Sequence, residues 1–364
     1  MSTIKEVARR ARVSVGTASH VLNGKVPVSD ELRKRVERAI AALDYHPSHI
    51  ARSLSTRRTD TLGMVIPDIN NPFFPQIIRG AESIATRLGF SMITFNTDDQ
   101  LDREKDALNF LRSRRVDGIL LTIAPGRSGR EHIRATLKAG IPIVCLDRIP
   151  YAIDLDTVSV DNFAGSREAV RHLISMGHQR IAIITGPLSL KNARDRVRGY
   201  RAALEGAGLA YVPEMVAEGD FRQGTGLRLC HQLFEEGKQR PSALFISNNL
   251  MALGALEALR DLGLTCPNDV AVVTFDGFVF PDVFQPTITT VVQAAFDIGA
   301  RGAEILIERL NGELKLASVR VELPTQLHLK ESSQRNFHRE TEADGCNRRL
   351  HLPRLKGLRG RGGG

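Results

Sequence analysis

The sequence predicts a small all-α head followed by an α/β body that consists of two Rossmann-like lobes. Apolar residues recur at helical spacing through residues 1–46, whereas short apolar runs alternate with amphipathic stretches from residue 61 to residue 330. Charge divides in a similar way: residues 1–60 hold 12 Lys and Arg against 6 Asp and Glu, and residues 61–330 hold 30 against 31. A basic head on a nearly neutral body indicates a polyanionic partner, although basic termini can also be merely solvated.

The head begins with two short helices. Thr3 and Glu6 have the spacing of a capping box, and the first helix should end near Ala11. Ser14 is a good N-cap for the second helix, which an Asn-Gly pair beginning at Asn23 closes. Two helices of this length joined by a tight turn are typical of a helix-turn-helix unit.

A third helix braces the first two. Ser29 caps it, and it should stop before Pro47 because proline cannot continue a helix. Its inner stripe is Leu32, Val36, Ile40 and Leu43, and its outer face carries Arg33, Lys34, Arg35 and Arg38. Residues 1–46 are therefore predicted to be a helix-turn-helix head. The alternative is a helical bundle with no role in nucleic-acid binding, against which the basic charge argues.

The body contains two successive series of strands. The predicted strands are Leu62–Pro67, Phe90–Asn96, Gly118–Ile123 and Pro142–Leu146, then Ile181–Thr185, Ala243–Ser247 and Val270–Phe275. Amphipathic stretches such as Phe74–Leu88 and Leu250–Leu262 lie between them. Alternating strands and helices predict parallel sheets covered on both faces, and ligands in such folds bind beyond the carboxyl ends of the strands.

Polar and aromatic residues cluster at those predicted strand ends. They are Asp68, Asn70, Phe73, Phe74, Asp98, Asp147, Arg148, Asn192, Arg194, Arg196, Phe221, Asn248, Asn249 and Asp276. Carboxylates, amides and guanidinium groups pair with hydroxyls, while aromatic rings cover apolar C–H faces, so the set favours a polyhydroxylated ligand. Each residue alone has an ordinary explanation, because an aspartate after a strand is commonly a helix cap and the phenylalanines can be core.

Motifs of several enzyme classes are absent from the sequence. It contains no Walker A loop, G-x-G-x-x-G, HExxH or G-x-S-x-G, and its four cysteines form no CxxC pair. We therefore expect no enzyme activity, no cofactor and no metal site. The N-terminus lacks the apolar core of a signal peptide, and no apolar run approaches the ~18 residues of a membrane span, so we expect a cytoplasmic protein without a membrane partner.

The head resembles the DNA-binding domain of the lactose-repressor (LacI) family in the stretch "TIKEVARRARVSVGTASHVLNG", residues 3–24. The family places its second helix in the major groove. The resemblance implies base contacts by Val15, Gly16 and His20, and DNA-backbone or supporting contacts by Thr3, Ser14, Thr17, Ser19 and Asn23. Gly16 has no side chain to read a base, and His20 stands where many members have arginine, although the purine-repressor branch also has histidine. Arg12 occupies a turn position at which glycine or asparagine is easier.

Residues 47–60, which include "ARSLSTRR", are predicted to be a linker. A helix of about ten residues is marginal alone in water, so this one should be disordered in the free protein. It resembles the hinge helix of the same family, which folds when two copies meet on DNA. The implied contacts are Ser48, Ala51, Arg52 and Leu54, with Leu54 as a wedge between base pairs in the minor groove. The alternative is a plain solvated linker.

The body resembles the same family and its periplasmic sugar-binding relatives. "GMVIPDINNPFF", "VCLDR", "ITGP", "DRVRGYRAAL" and "NLMALGALEAL" occur in the family's order. The resemblance implies two lobes of the periplasmic-binding-protein type, the first at 61–160 and 290–318 and the second at 161–289 and 319–330. The implied effector contacts are Phe73, Phe74, Asp147, Arg196, Phe221, Asn248 and Asp276. Asn249, Thr274, Gly277 and Ala295 depart from the family's pattern.

Together these features predict a transcriptional repressor. A homodimer would bind a near-palindromic operator in double-stranded DNA under the control of a small polyhydroxylated effector, a sugar or sugar derivative. Three alternatives stay open at this point: a cytoplasmic sugar-binding protein, an enzyme on the same lobes, and an effector-independent DNA-binding protein. Residues 331–364, rich in arginine and glycine at their end, are expected to form a disordered basic tail.

Overall fold

The computed structural model describes residues 3–23, 28–45, 58–126, 130–151, 153–235, 239–314 and 317–334. The head contains three helices, α1 (Ile4–Ala11), α2 (Val15–Asn23) and α3 (Asp30–Ala42). The predicted capping box is present, since Glu6 N donates to Thr3 Oγ1 at 3.4 Å and Thr3 N donates to Glu6 Oε2 at 2.7 Å. Val7, Ala18 and Val36 form the centre of the small core between the helices.

The turn between α1 and α2 depends on two arginines. Arg12 has a left-handed backbone, with φ of 52°, which confirms the conformation expected at this position. Arg35 was expected on the outer face of α3, and that expectation is wrong. Its Nη2 donates to Ala11 O at 2.6 Å and to Arg12 O at 2.9 Å. A cation therefore satisfies the carbonyl end of α1 and ties the turn to α3.

The first lobe is a parallel sheet of six strands in the order β11-β5-β4-β3-β1-β2. Its strands are β1 (Thr61–Ile66), β2 (Ser91–Asn96), β3 (Gly118–Leu121), β4 (Ile143–Leu146), β5 (Asp156–Val160) and β11 (Arg320–Leu323). Its helices are α4 (Phe73–Arg87), α5 (Leu101–Ser113), α6 (Glu131–Lys138) and α11 (Ala295–Leu310). The strands β1, β3 and β4 are buried almost throughout because helices cover both faces of the sheet.

The second lobe repeats this plan in the order β12-β10-β9-β8-β6-β7, with only β12 antiparallel to its neighbour. Its strands are β6 (Ile181–Thr185), β7 (Val216–Glu218), β8 (Ala243–Ile246), β9 (Ala271–Phe275), β10 (Thr289–Gln293) and β12 (Thr325–His328). Its helices are α7 (Asn162–Ser175), α8 (Lys191–Gly206), α9 (Gln223–Leu233) and α10 (Asn249–Asp261). All seven strands predicted from the sequence are present, with ends that differ by at most two residues.

The chain passes between the lobes three times, after β5, after β10 and after β11. The predicted limits at 290 and 318 need correction. Thr289–Gln293 pairs with β9 and β12 and so belongs to the second lobe, whereas Arg320–Leu323 pairs with β5 and belongs to the first. These limits follow from strand pairing, which the pattern of apolar residues does not reveal.

The predicted tail also begins too early. Glu331–Ser333 forms a 3₁₀ turn, and Ser332 and Ser333 are fully buried in the second lobe. Ser332 Oγ donates to Val272 O at 2.6 Å and accepts from Thr289 N at 2.8 Å. Residues 331–334 are thus part of the body, and the remainder of the predicted tail lies outside the described residues.

Helices α4 and α11 pack against each other through glycine. A methyl group at Gly299 would lie 1.9 Å from Ile77 O, and one at Gly80 would lie 1.9 Å from Phe296 O. The two backbones therefore approach so closely at these positions that there is no room for a side chain.

We predict that Gly299→Ala lowers the free energy of unfolding by about 2–3 kcal/mol, because the atom it would strike is a backbone carbonyl that cannot rotate away. Gly224→Ala in α9 is the matched control, since its added methyl meets no atom within 4 Å. The control should change stability by no more than about 1 kcal/mol. Urea denaturation of both variants checks this, and equal stabilities would contradict the glycine contact.

Candidate functional site

All seven residues expected to contact an effector line one cleft between the lobes. The cleft lies beyond the carboxyl ends of both sheets and also includes Asn71, Arg148, Asn192 and Gln293. Its walls are close together, leaving a cavity of about 20 Å³, room for about one water molecule. A larger ligand requires the lobes to separate, as in hinge movements between domains.

The first lobe supplies two aromatic rings and a carboxylate. Phe73 and Phe74 open helix α4 and contact each other edge to face, with centroids 5.2 Å apart. Asp147 follows β4, and Arg148 places its guanidinium 5.8 Å from the centroid of the Phe74 ring and 5.5 Å from that of Phe221 in the other lobe. These four side chains form the part of the cleft lining that the first lobe supplies, together with Asn71.

Three cleft residues have a backbone that side chains rarely adopt. Asp147, Phe221 and Asp276 have φ of 61°, 67° and 68°. A left-handed backbone is uncommon in residues other than glycine and costs of order 1–3 kcal/mol where it occurs. Such strain is concentrated at functional sites, and here it turns one carboxylate from each lobe and one ring into the cleft.

Gly186 makes room for the ring of Phe221. A methyl group at this position would lie 2.0 Å from Phe221 Cζ. The glycine of the "ITGP" stretch, which follows β6, is therefore a requirement of the aromatic wall. Asn248 completes this side, since its Nδ2 donates to Phe221 O at 2.9 Å and its Oδ1 caps α10 by accepting from Met251 N at 3.0 Å.

Arg196 is the buried cation of the second lobe. Its Nε donates to Asn162 Oδ1 at 2.8 Å, and its Nη1 donates to Ser247 O. The guanidinium carbon lies 3.8 Å from the centroid of the Phe275 ring. Burial lowers the pKa of Arg196, and the negative charges of Asp276 and Asp147 oppose that shift.

Asp147 and Arg148 retain polar atoms without partners. Burial raises the pKa of Asp147, opposed by Arg196 and Arg148. Asn192 Nδ2 donates to Asp147 Oδ2 at 3.3 Å across the cleft, but Asp147 Oδ1 and Arg148 Nε find no hydrogen-bond partner among the described residues. Buried polar groups are nearly always paired, so these two atoms are open to a ligand's hydroxyl groups.

Gln293 stands at the end of β10 and contacts Asp276. Its Nε2 donates to Asp276 Oδ1, and its Oε1 is buried without a partner in the described part of the chain. Burial raises the pKa of Asp276 to about 6, with Arg196 and the hydrogen bond from Gln293 acting in the opposite direction. Sequence reasoning missed Gln293 because it did not identify β10; a strand assigned to "TTVVQ" would have placed this amide at a carboxyl end.

Five other strand-end residues lie outside the cleft and have local roles. Asp68 Oδ1 accepts from Asn70 N at 2.9 Å, which closes a turn. Asp98 pairs with Asn96, while Arg194 donates to Leu188 O and Asn249 to Gly277 O. These residues therefore make local hydrogen bonds, as polar residues that follow strands commonly do.

The head exposes the residues expected to face bases. Val15, Gly16 and His20 are exposed along α2, and Ser14 Oγ caps that helix by accepting from Thr17 N at 3.0 Å. The other residues expected to contact DNA differ in their positions and exposure. Ser19 is half-buried, Thr3 caps α1, Asn23 ends α2, and Ser48, Ala51, Arg52 and Leu54 lie outside the described residues.

The described residues contain neither a membrane-spanning helix nor a group of metal ligands. No described helix combines the length and apolar character needed to cross a membrane. Within the same described residues, no three or more His, Cys, Asp or Glu side chains are grouped in a way that could hold a metal ion.

Comparison with known families and proteins gives consistent matches. The family described as "Periplasmic binding proteins and sugar binding domain of LacI family" matches residues 59–327, and "Bacterial regulatory proteins, lacI family" matches residues 3–48. The chain is 35% identical over 333 residues to Catabolite control protein A of Priestia megaterium, covering 91% of this chain and 99% of that protein. It is 37% identical over 310 residues to the Ribose operon repressor of Escherichia coli K12, covering 85% and 93%.

Solved structures agree with these matches. The lac repressor dimer bound to operator and the anti-inducer ONPF superposes with a TM-score of 0.80 at 27% identity, covering 92% of this chain and 99% of that chain. The complex of the transcriptional regulator CelR with cellobiose gives a TM-score of 0.69 at 33% identity, covering 91% and 100%.

We predict that Asp276 makes stability depend on pH. Because its pKa is about 6 in the folded protein and 3.8 for an ordinary aspartate, the folded state holds the proton to higher pH than the unfolded state. The wild type should therefore lose free energy of unfolding relative to Asp276→Asn as the pH rises from about 4 to 6.5, by up to about 3 kcal/mol. Urea denaturation at several pH values measures this difference. Parallel pH curves for the two proteins would exclude it, and Asp106→Asn on the exposed face of α5 should follow the wild type.

Proposed function

This chain belongs to the LacI family of bacterial DNA-binding transcriptional regulators, and we propose that it is a homodimeric repressor controlled by a small neutral polyhydroxylated effector. The observation that carries the proposal is the convergence of seven residues, named from the sequence alone, on one buried cleft in a chain that also has a helix-turn-helix head. The protein would act in the cytoplasm, bind its effector without chemical change and need no cofactor.

The head supports binding to the major groove of DNA. Its second helix presents an exposed face that contains Val15, Gly16 and His20, and Ser14 and Thr17 lie at the amino end, where main-chain N–H groups favour phosphate. A single head of this size offers too few contacts for specific affinity, so two heads on a near-palindromic operator are required.

The cleft supports a neutral ligand with several hydroxyl groups. It contains two carboxylates, Asp147 and Asp276, and two guanidinium groups, Arg148 and Arg196, so its formal charges balance. Among the described residues, Asp147 Oδ1 and Gln293 Oε1 accept no hydrogen bond and Arg148 Nε donates none, although Arg148 Nε lies 3.8 Å from Asp147 Oδ2. Sugar hydroxyls supply both donors and acceptors, and the phenylalanine rings cover the apolar face of a sugar ring.

An apolar surface on the second lobe supports the homodimer. Val279, Phe280 and Val283 are 61%, 70% and 74% exposed. Phe284, the next residue in the chain, lines a groove beside α10 with Leu253, Leu256, Leu264 and Ile288, and polar residues such as Glu257 and Arg260 border that groove. Soluble monomers rarely expose contiguous apolar surface of this kind, and a second copy of this chain is the occupant that a two-headed repressor needs.

The effector would act by changing how the lobes meet. Asn192 contacts Asp147 between the lobes, and Arg222 Nη2 donates to Asp98 O at 2.8 Å near the mouth of the cleft. A ligand that replaces such contacts shifts the lobes and, in a dimer, the spacing of the two linkers. Coupling of this kind is typically about 1–3 kcal/mol.

Two measurements test the proposal as a whole. Selection from a random duplex library with the full-length protein should yield a near-palindromic site. Thermal-shift screening with neutral sugars, sugar alcohols, sugar phosphates and nucleosides should identify neutral polyols as stabilising ligands. Recovery of no common site, or ligands that stabilise the protein but never alter its affinity for the selected duplex, would oppose the proposal.

We predict that Asp147→Asn lowers the affinity for the effector found by that screen about 10- to 100-fold, because the variant keeps the shape of the cleft but replaces a charged acceptor. Isothermal titration calorimetry measures the change. Asp68→Asn is the control, since Asp68 follows β1 but lies outside the cleft lining. Equal affinities for the wild type and Asp147→Asn would remove this carboxylate from the effector site.

We predict that Leu54→Ala weakens binding to the selected duplex at least about tenfold, equivalent to about 1.4 kcal/mol, if leucine separates a base step in the minor groove. Fluorescence anisotropy at one fixed salt concentration measures it. Ser55→Ala changes the same linker without removing the wedge and should bind like the wild type, and both variants should bind effector normally. A Leu54→Ala protein with wild-type DNA affinity rules the wedge out.

A further inference from the structure

The edge of the first sheet that receives the linker carries a concentration of positive charge. The strands of this sheet are parallel, so the segments that precede β1, β3 and β4 lie together at its amino edge. Arg58, Arg112 and Arg115 line a recess there of about 780 Å³, together with Asp117 and Leu310. The body is nearly neutral as a whole, so this charge is a local feature of one edge.

The described lining of the recess has a net positive charge, because three arginines face one aspartate there. Arg112 Nη1 reaches Asn109 Oδ1 at 3.4 Å, and within the described residues neither Arg112 nor Arg115 lies within salt-bridge distance of a carboxylate. Asp117 offsets one of these charges, and its Oδ1 accepts from Thr59 N at 2.9 Å and from Thr59 Oγ1 at 3.2 Å. Two like charges held beside one recess repel each other unless an anion is present.

The recess lies where the body meets the DNA-binding part of the chain. Arg58 is the first described residue after 46–57, and it donates to Leu310 O at the end of α11. Twelve residues span only about 18 Å when helical. A linker that lies helical in the minor groove would therefore keep this edge of the body close to the backbone of the same duplex.

We propose that the basic edge formed by Arg112 and Arg115 binds phosphate groups of the DNA held by the heads, which adds contacts from the body to those of the head and linker. This inference rests on the proposed DNA-binding function. The recess is open and lies at the point where the tether enters the body, which favours the DNA backbone over a small anion. Arginine donors suit phosphate oxygens, and such contacts are independent of base sequence.

The test compares two double variants of the full-length protein. Arg112→Gln with Arg115→Gln removes the charges of the recess. Arg171→Gln with Arg228→Gln removes two exposed arginines from α7 and α9 of the second lobe and is the charge-matched control. Affinity for the selected duplex is measured by fluorescence anisotropy between 50 and 300 mM KCl, and thermal unfolding establishes that both variants are folded.

The slope of log affinity against log salt concentration should fall in magnitude by about 2 to 4 in the recess variant, because each phosphate contact contributes about 0.9 and a dimer carries two recesses. Affinity near 100 mM salt should fall at least about tenfold, while the control variant follows the wild type. Slopes that coincide for the recess variant and the wild type overturn the inference and leave the proposed function intact, whereas a wild type that binds no duplex overturns both.

A small phosphate compound is the other source of the same chemistry. Inorganic pyrophosphate serves as the probe in a thermal-shift assay without DNA. If pyrophosphate stabilises the wild type but not the recess variant, and the salt slopes for DNA coincide, the recess is a small-anion site and the DNA contact is wrong. No differential effect of pyrophosphate together with the lower salt slope supports the contact with DNA.

Discussion

The structure of the cleft depends on the burial of one cation, Arg196, together with two carboxylates. Asp147 comes from the first lobe and Asp276 from the second, and the negative charges of both oppose the lowering of the Arg196 pKa by burial. Taking such charges out of water costs several kcal/mol for each ion, which only close opposite charges and hydrogen bonds offset. Asn162 and the carbonyl of Ser247 supply the hydrogen bonds. Because Asp147 belongs to the other lobe, the distance between the lobes affects how far its negative charge offsets the buried positive charge of Arg196.

Residues of the cleft have strained backbones and unpaired polar atoms, both of which are energetically unfavourable. Asp147, Phe221 and Asp276 have left-handed backbones, and Asp147, Arg148 and Gln293 each leave one polar atom unpaired among the described contacts. The two densely packed sheets on either side tolerate these costs, because their central strands are almost wholly buried between helices on both faces. A ligand that supplies partners to the unpaired atoms can therefore stabilise a different arrangement of the lobes without rearranging either sheet.

Strong apolar strands mark their own carboxyl ends, so the pattern predicted the two-lobed body and a set of strand-end residues, and the resemblance to the family selected seven of that set as effector contacts. Arg148 and Asn192 belonged to the strand-end set but not to the implied contacts, whereas Asn71 and Gln293 were not singled out at all. Gln293 was missed because its strand, β10, was not recognised. The five missed strands are short or polar: β11 and β12 lie at sheet edges with alternate residues exposed, and β7 has only three residues. Edge strands lack the continuous apolar run that identifies a central parallel strand. Arg35 was misplaced for a similar reason, since its partners are carbonyls that no sequence pattern reveals.

The two functional ends of the first lobe are connected by rigid elements. The cleft lies at the carboxyl edge of its sheet and the linker at the amino edge, and α11 runs from beside Gln293 to Leu310, where Arg58 holds its last carbonyl. A helix of this length spans about 24 Å and therefore connects the two edges of the first sheet. Gly80 and Gly299 allow α11 to pack closely on α4, which carries Phe73 and Phe74, so a shift of this cleft wall would involve both helices. This packing supports the proposed coupling between effector and linker, because it joins the two edges of the first sheet through one pair of helices.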